Sequence, residues 1–163
     1  MSPQGARLTL ALYQPDIAQN AGAMLRTCAC FGAAAAIIGP TGFPSSDRHF
    51  RRAGMDYLDH VTVERHDSWR AFEDWRRKEG LRLVLLTTKG AIAHWDFSFA
   101  AGDIILVGRE SAGAPAEVHD AADARLRIPI RPAMRSLNVS VAAGIALSEA
   151  FRQIGRRGEE APR

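Results

Sequence analysis

The side chains of this chain best suited to chemistry gather at three junctions between loops and helices. Asn20-Ala21-Gly22 leads to Arg26-Thr27 on a predicted helix, and Gly108-Arg109-Glu110-Ser111-Ala112-Gly113 follows the apolar run Ile104–Val107. Arg127-Ile128-Pro129-Ile130 then precedes Arg135-Ser136-Leu137-Asn138-Val139-Ser140, which opens a helix of small residues. Glycine, serine, asparagine, glutamate and arginine at such junctions suit a polar site built largely from backbone groups, held in place by rigid elements. Taken singly, each residue has an ordinary reading. Gly108 and Gly113 are turn residues, Ser136 and Asn138 helix caps, and Glu110 a solvated acid. The combination is what points to a site.

Several chemistries are excluded by spacing. Gly108 and Gly113 have the separation of a Walker A loop, but Ala114-Pro115 stands where Lys-Ser/Thr is required. No G-x-G-x-x-G follows the first apolar run, so a dinucleotide fingerprint is missing. Ser111 lies in E-S-A-G rather than G-x-S-x-G, which argues against a hydrolase elbow. The five histidines form neither H-E-x-x-H nor a Cys/His pairing, so no metal is expected. Three loops after predicted strands remain: Leu86–Gly90, Gly108–Gly113 and Ile128–Asn138. In open α/β sheets ligands bind beyond the carboxyl ends of the strands. Backbone N–H and C=O groups there can hydrogen-bond an adenine edge and a ribose.

The elements that must position these loops are legible along the chain. Leu8–Tyr13 reads as a buried strand ended by Pro15, and Ala33–Ile38 as the next. Between them Ala21, Met24, Leu25 and Cys28 recur at helical spacing, up to a stop at Gly32. An Arg-rich polar segment runs to about Asp59, then Val61–Glu64 suggests a short strand. Ser68–Lys78 reads as a helix with Ser68 at its N-cap, and Gly80 introduces a strand over Leu81–Thr87. Ile104–Val107 is the clearest buried strand; Ala124–Ile130 is another whose end Pro129 demotes to an edge or loop. A helix from Asn138 to Ile154 is stopped by Gly155, and its Ala142-Ala143-Gly144 face would let a neighbouring backbone approach. Alternating strands and helices argue for an α/β domain around a mostly parallel sheet with helices on both faces.

Composition agrees with a single domain over 1–163, with its core at about 8–154 and a charged tail at 156–163. Apolar residues are 47% and charged residues 24%, as in a soluble globular protein. Net charge is +3 and the isoelectric point about 9.3, which permits a nucleic-acid partner. The two cysteines, Cys28 and Cys30, imply no disulfide, and Cys28 should pack as a small hydrophobe. No signal peptide or membrane span is visible, so a cytoplasmic chain without membrane contact is expected.

Read jointly, Asn20…Arg26-Thr27, Gly108-x-Glu110-x-x-Gly113 and Ile128-Pro129…Ser136-Leu137-Asn138-Val139-Ser140 resemble the three motifs of the SPOUT RNA methyltransferases. The resemblance runs from about Leu8 to Ile154. Tyr13-x-Pro15-x-Ile17-x-x-Asn20, Arg51–Tyr57 and Leu86-Thr87-Thr88-Lys89-Gly90 look most like the TrmL subgroup, which methylates the 2′-hydroxyl of the tRNA wobble nucleotide. The resemblance implies a deep C-terminal trefoil knot, S-adenosylmethionine as cofactor (S-adenosylhomocysteine as product) and a homodimer with its site between subunits. By position it implies cofactor contacts at Leu86, Gly108, Ile128 and Ser136. Arg26 would hold an RNA phosphate or stabilise the developing alkoxide, Asn20 and Asn138 would orient these groups, Glu110 would position Arg26 or the substrate, and Ser136 would join this catalytic set. Arg48, Arg51, Arg52, Lys89 and Arg131 would bind the anticodon loop of tRNA, leucine tRNAs being the expected substrates. One departure stands out: Arg109 occupies a place where many relatives have proline, which removes a backbone constraint and adds a charge. The alternatives are methylation of another tRNA or rRNA position, and a non-catalytic RNA-binding module that kept the knot.

Overall fold

A parallel sheet is stable when both faces are covered, so its strands tend to be unbroken apolar runs. β1 (Thr9–Tyr13) and β6 (Ile104–Val107) meet that description, with every residue buried, and they lie side by side at the centre. The computed structural model describes residues 7–154. Around this centre stand β2 (Ala34–Ile38), β3 (Val63–His66), β4 (Leu83–Leu86), β5 (Ile92–Ala93) and β7 (Ala124–Arg127). The order is β3-β2-β1-β6-β4-β7-β5, and all strand pairs are parallel.

Alternate side chains of each strand point to opposite faces. Leu10 and Leu12 join a core that includes Met24, Leu25 and Cys28 of α1 (Ala18–Phe31), Phe50 of α2 (Arg48–Gly54), and Ala143 and Leu147 of α5 (Val139–Ile154). Ala11 and Tyr13 face the other core, with Phe72 of α3 (Trp69–Glu79) and Val118 of α4 (Ala116–Ala121). Burial pushes the Cys28 thiol up to about 12, consistent with an inert packed side chain.

Local signals end the helices where the sequence suggests. Gly32 at φ 75° closes α1, and the Ser68 hydroxyl accepts from Ala71 N–H to start α3. The strand expected over Ala124–Ile130 stops at Arg127, short of Pro129. The expected stop at Gly155 lies outside the described residues. The Arg-rich segment carries an unexpected helix, α2, followed by a 3-10 turn over Met55–His60. Asp47 initiates it by accepting from His49 N–H and Phe50 N–H. α2 presses closely on α1: a Cβ on Gly22 would sit 2.5 Å from the Phe50 carbonyl oxygen.

The right-hand end of the sheet departs from chain order. β7 lies between β4 and β5, so the segment joining those two strands passes the end of β7. That segment is locked in place. Thr87 N–H donates to the Leu126 carbonyl at 2.8 Å, and Arg127 Nη1 donates to the Ala91 carbonyl at 2.6 Å. A Cβ on Gly90 would lie 2.3 Å from the Leu126 carbonyl carbon, so no larger residue fits the crossing.

Candidate active site

Beyond the carboxyl ends of β4, β6 and β7 lies a cavity of about 450 Å³, within the size range of small-molecule sites. Leu86, Thr87 and Thr88 form one wall, Gly108 to Glu110 and Gly113 a second, and Ile128 and Ile130 a third. Ser136 to Val139 and Ala142, at the start of α5, meet Ile17 and Asn20 of the β1–α1 region across the opening. The walls mix apolar side chains with polar groups from Asn20, Thr87, Glu110, Ser136 and Asn138. This arrangement suits a flat heterocycle held by backbone groups.

The loop after β6 is shaped by its glycines. Arg109 and Gly113 exchange backbone hydrogen bonds of 3.1 and 2.8 Å, closing a tight turn, and Gly113 sits at φ 65°. A Cβ on Gly108 would come within 2.6 Å of the Gly113 carbonyl carbon. The chain can therefore follow this path only without a side chain at position 108, which also leaves backbone open to a ligand.

At the opening, Asn138 Nδ2 donates to Asn20 Oδ1 at 3.2 Å, joining α1 to α5. Asn138 Oδ1 accepts from Ser140 N–H at 2.9 Å and from the Ser140 hydroxyl, which caps α5. One amide thus sets the helix start and bridges the two halves of the site.

Glu110 turns toward Asp16. Asp16 N–H donates to Glu110 Oε2 at 3.1 Å, and Glu110 N–H donates to Asp16 Oδ1 at 3.3 Å. The Ser111 hydroxyl donates to Asp16 Oδ2, and Arg109 Nη2 lies 3.8 Å from that oxygen. The neighbouring Glu110 side chain, more than any other influence, holds Asp16 down at about 2. Burial, then the bond to Asp16, raises Glu110 above the ordinary carboxyl range. The added charge of Arg109 therefore finds its counter-charge inside the chain.

The structure brings Asn20, Glu110, Ser136 and Asn138 together with Leu86, Gly108 and Ile128 around one cavity. Arg26 lies further along α1, exposed, with its guanidinium 4.5 Å above the Tyr57 ring, and does not line the cavity. Arg48, Arg51, Arg52, Lys89 and Arg131 are all exposed. Asp16 is the functional candidate that sequence reasoning passed over. It lies 94 positions from Glu110, so no spacing rule links the two. Among the described residues no group of three or more His, Cys, Asp or Glu side chains could hold a metal ion.

A model of the SpoU rRNA Methylase family matches residues 7–148. The chain belongs to the SpoU methylase family. A relative from Beijerinckia indica subsp. indica, named a tRNA (cytidine(34)-2′-O)-methyltransferase, is 62% identical over 156 residues, covering 94% of this chain and 98% of that protein. A solved structure described as giving insight into 2-OH methylation of C/U34 on tRNA is 40% identical with a TM-score of 0.88. It covers 94% of this SpoU methylase and 99% of that chain. An AdoMet-bound rRNA methyltransferase from Sinorhizobium meliloti is 30% identical with a TM-score of 0.84, covering 93% of this chain and 58% of that one. The parallel sheet with helices on both faces is thus that of known SpoU methylases.

Proposed function

We propose that this chain transfers a methyl group from S-adenosylmethionine to the ribose 2′-hydroxyl of tRNA nucleotide 34, the wobble cytidine or modified uridine of leucine tRNAs. The observation that carries this reading is the glycine-shaped cavity at the strand ends, closed at its mouth by the Asn20–Asn138 bridge. The relative that shares 62% identity bears this tRNA name, whereas the rRNA methyltransferase shares 30%.

The cavity fits the cofactor. Backbone groups at Leu86, Gly108 and Ile128, with Ser136, would hold it, the bare Gly108 allowing close approach. S-adenosylmethionine supplies there an electrophilic methyl group on a sulfonium. The ribose hydroxyl must lose its proton as it attacks. Arg26 serves, through its guanidinium, to hold an RNA phosphate or stabilise the developing alkoxide. Asn20 and Asn138 orient the reacting groups at the opening. Glu110 has Oε1 buried and Oε2 engaged by Asp16 N–H, which gives it a positioning part rather than that of the base.

A homodimer completes this reading. Ile17, Met134, Leu137 and Val141 are exposed apolar side chains on the segments around the cavity mouth, a surface suited to burial against a second copy. Gly144 has open space where its Cβ would be, consistent with close approach there. The knot is part of the same reading, supported by β7 lying under the locked segment between β4 and β5. Arg48, Arg51, Arg52, Lys89 and Arg131 supply positive charge for the anticodon loop, whose splayed bases are the usual target of RNA readout. No described helix is long and apolar enough to cross a membrane, and a tRNA substrate implies a cytoplasmic enzyme. The test is incubation with labelled S-adenosylmethionine and leucine tRNA, followed by digestion to nucleosides. Labelled 2′-O-methylnucleoside is expected; none from protein that binds the cofactor would overturn the reading.

A further inference from the structure

The carboxylate of Asp16 touches three consecutive residues of a loop 94 positions away. Glu110 N–H, the Ser111 hydroxyl and Arg109 Nη2 all approach it, and Asp16 N–H returns a bond to Glu110 Oε2. Those three residues lie between Gly108 and Gly113, whose backbones form a wall of the cavity. On its own side Asp16 immediately precedes Ile17, which lines the same cavity with Asn20. Just upstream, Gln14 stands at φ 41°, a conformation that persists where the surroundings hold it.

We propose that Asp16 is a positioning residue for methyl transfer: its carboxylate locks the Arg109–Ser111 segment to the β1–α1 loop, fixing the cofactor cradle and Asn20 in one frame. This rests on reading the cavity as the S-adenosylmethionine site. The two carboxyls of the lock stand close enough for each to feel the other's charge. Adjacent carboxyls share one proton more readily than both ionise, and here Glu110 is the partner raised by burial and by Asp16. Arg109 and the Ser111 hydroxyl face the pair from the β6–α4 loop, and Tyr13 at the end of β1 feels Glu117 and Arg109. Loss of the Glu110 proton sets a second negative charge against Asp16 and loosens the two loops.

The experiment compares wild-type protein with Asp16→Asn, Asp16→Ala, Asp16→Glu and Glu110→Gln. Calorimetric binding of S-adenosylmethionine, KM and kcat with tRNA, and melting of cofactor-free protein are measured across pH. Asp16→Asn and Asp16→Ala should raise Kd and KM for the cofactor roughly tenfold, the size of one charge-assisted hydrogen bond, with a smaller fall in kcat at saturation. Asp16→Glu should recover most of the affinity. In wild type Kd should rise with pH as Glu110 ionises, and Glu110→Gln should flatten that rise. Melting temperature lowered while the Kd of folded protein stays unchanged would mean a merely structural role and overturn the proposal. If Asp16→Ala does not fold, Asp16→Asn and the Glu110→Gln pH profile decide by the same criteria. A wild type that binds no cofactor overturns the reading of the cavity and this proposal with it. A wild type that binds, beside Asp16 variants that bind equally well, overturns this proposal alone.

Discussion

Gly108→Ala adds one methyl group to the wall of the cavity, and the structure says where it must go. The new Cβ would lie 2.6 Å from the Gly113 carbonyl carbon and 2.7 Å from Ala114 N, about 0.8 Å inside the shortest ordinary contact of 3.4 Å. Both neighbours are backbone atoms, so no side-chain rotation relieves the overlap. Gly108 is not in the left-handed region, so the effect is steric rather than conformational. Relief requires the Gly113–Ala114 peptide to move, and it is held by the paired hydrogen bonds between Arg109 and Gly113. Overpacking of this kind costs roughly 1–3 kcal/mol. Expressed in the cradle, that weakens S-adenosylmethionine binding by about fivefold to a hundredfold. Gly113→Asn is the contrast. Position 113 has open space around its Cβ and needs φ 65°, which asparagine adopts, so affinity should fall less. Calorimetric titration of both variants, with thermal melts to confirm folding, measures the difference. Equal wild-type Kd values in Gly108→Ala and Gly113→Asn would refute the claim that this turn shapes the cofactor site.

Asn138→Ala should lower stability by about 1 kcal/mol through loss of the α5 cap, whereas Asn138→Asp keeps the cap oxygen but loses the bond to Asn20. Thermal melts should therefore separate these two variants, while methylation assays should show both impaired. Asp16 is held at about 2, so its contribution to stability is complete above its unfolded value near 4 and disappears as pH falls through about 2. Glu110 runs the other way, its contribution being lost as pH rises through its raised value. Acid unfolding followed by circular dichroism should show a shallower loss between pH ~4 and ~2 in Asp16→Asn than in wild type. Val141→Asp places a charge on an exposed apolar position of α5; if that face is the proposed dimer surface, light-scattering chromatography should show a dimer for wild type and a monomer for the variant, with secondary structure unchanged.

What the sequence made legible, and what it did not, follows from the range of the interactions. β1 and β6 are continuous apolar runs and α1 repeats its apolar residues at helical spacing, so burial alone reveals them. α2 escapes that logic because only Phe50 and Gly54 of its seven residues are buried. α4 buries Val118 alone, and β5 has just two residues, formed because β7 offers a free edge. Most of the site is legible because its residues sit in compact motifs near strand ends. Asp16 is not, because its partners follow β6, distant in sequence, and meet it only once β1 and β6 pair. Glu110 is expected to position Arg26 or the substrate; in the structure its Oε2 accepts from Asp16 N–H, a partner that no local pattern encodes.

Position-resolved mass spectrometry of leucine tRNA after incubation with the wild-type chain and S-adenosylmethionine tests the central claim most directly. The expected result is one added methyl on the ribose of nucleotide 34, with transfer abolished in Arg26→Ala and reduced in Gly108→Ala. A methyl mapped to another nucleotide or to a base, or no methyl from protein shown to bind the cofactor, would contradict it.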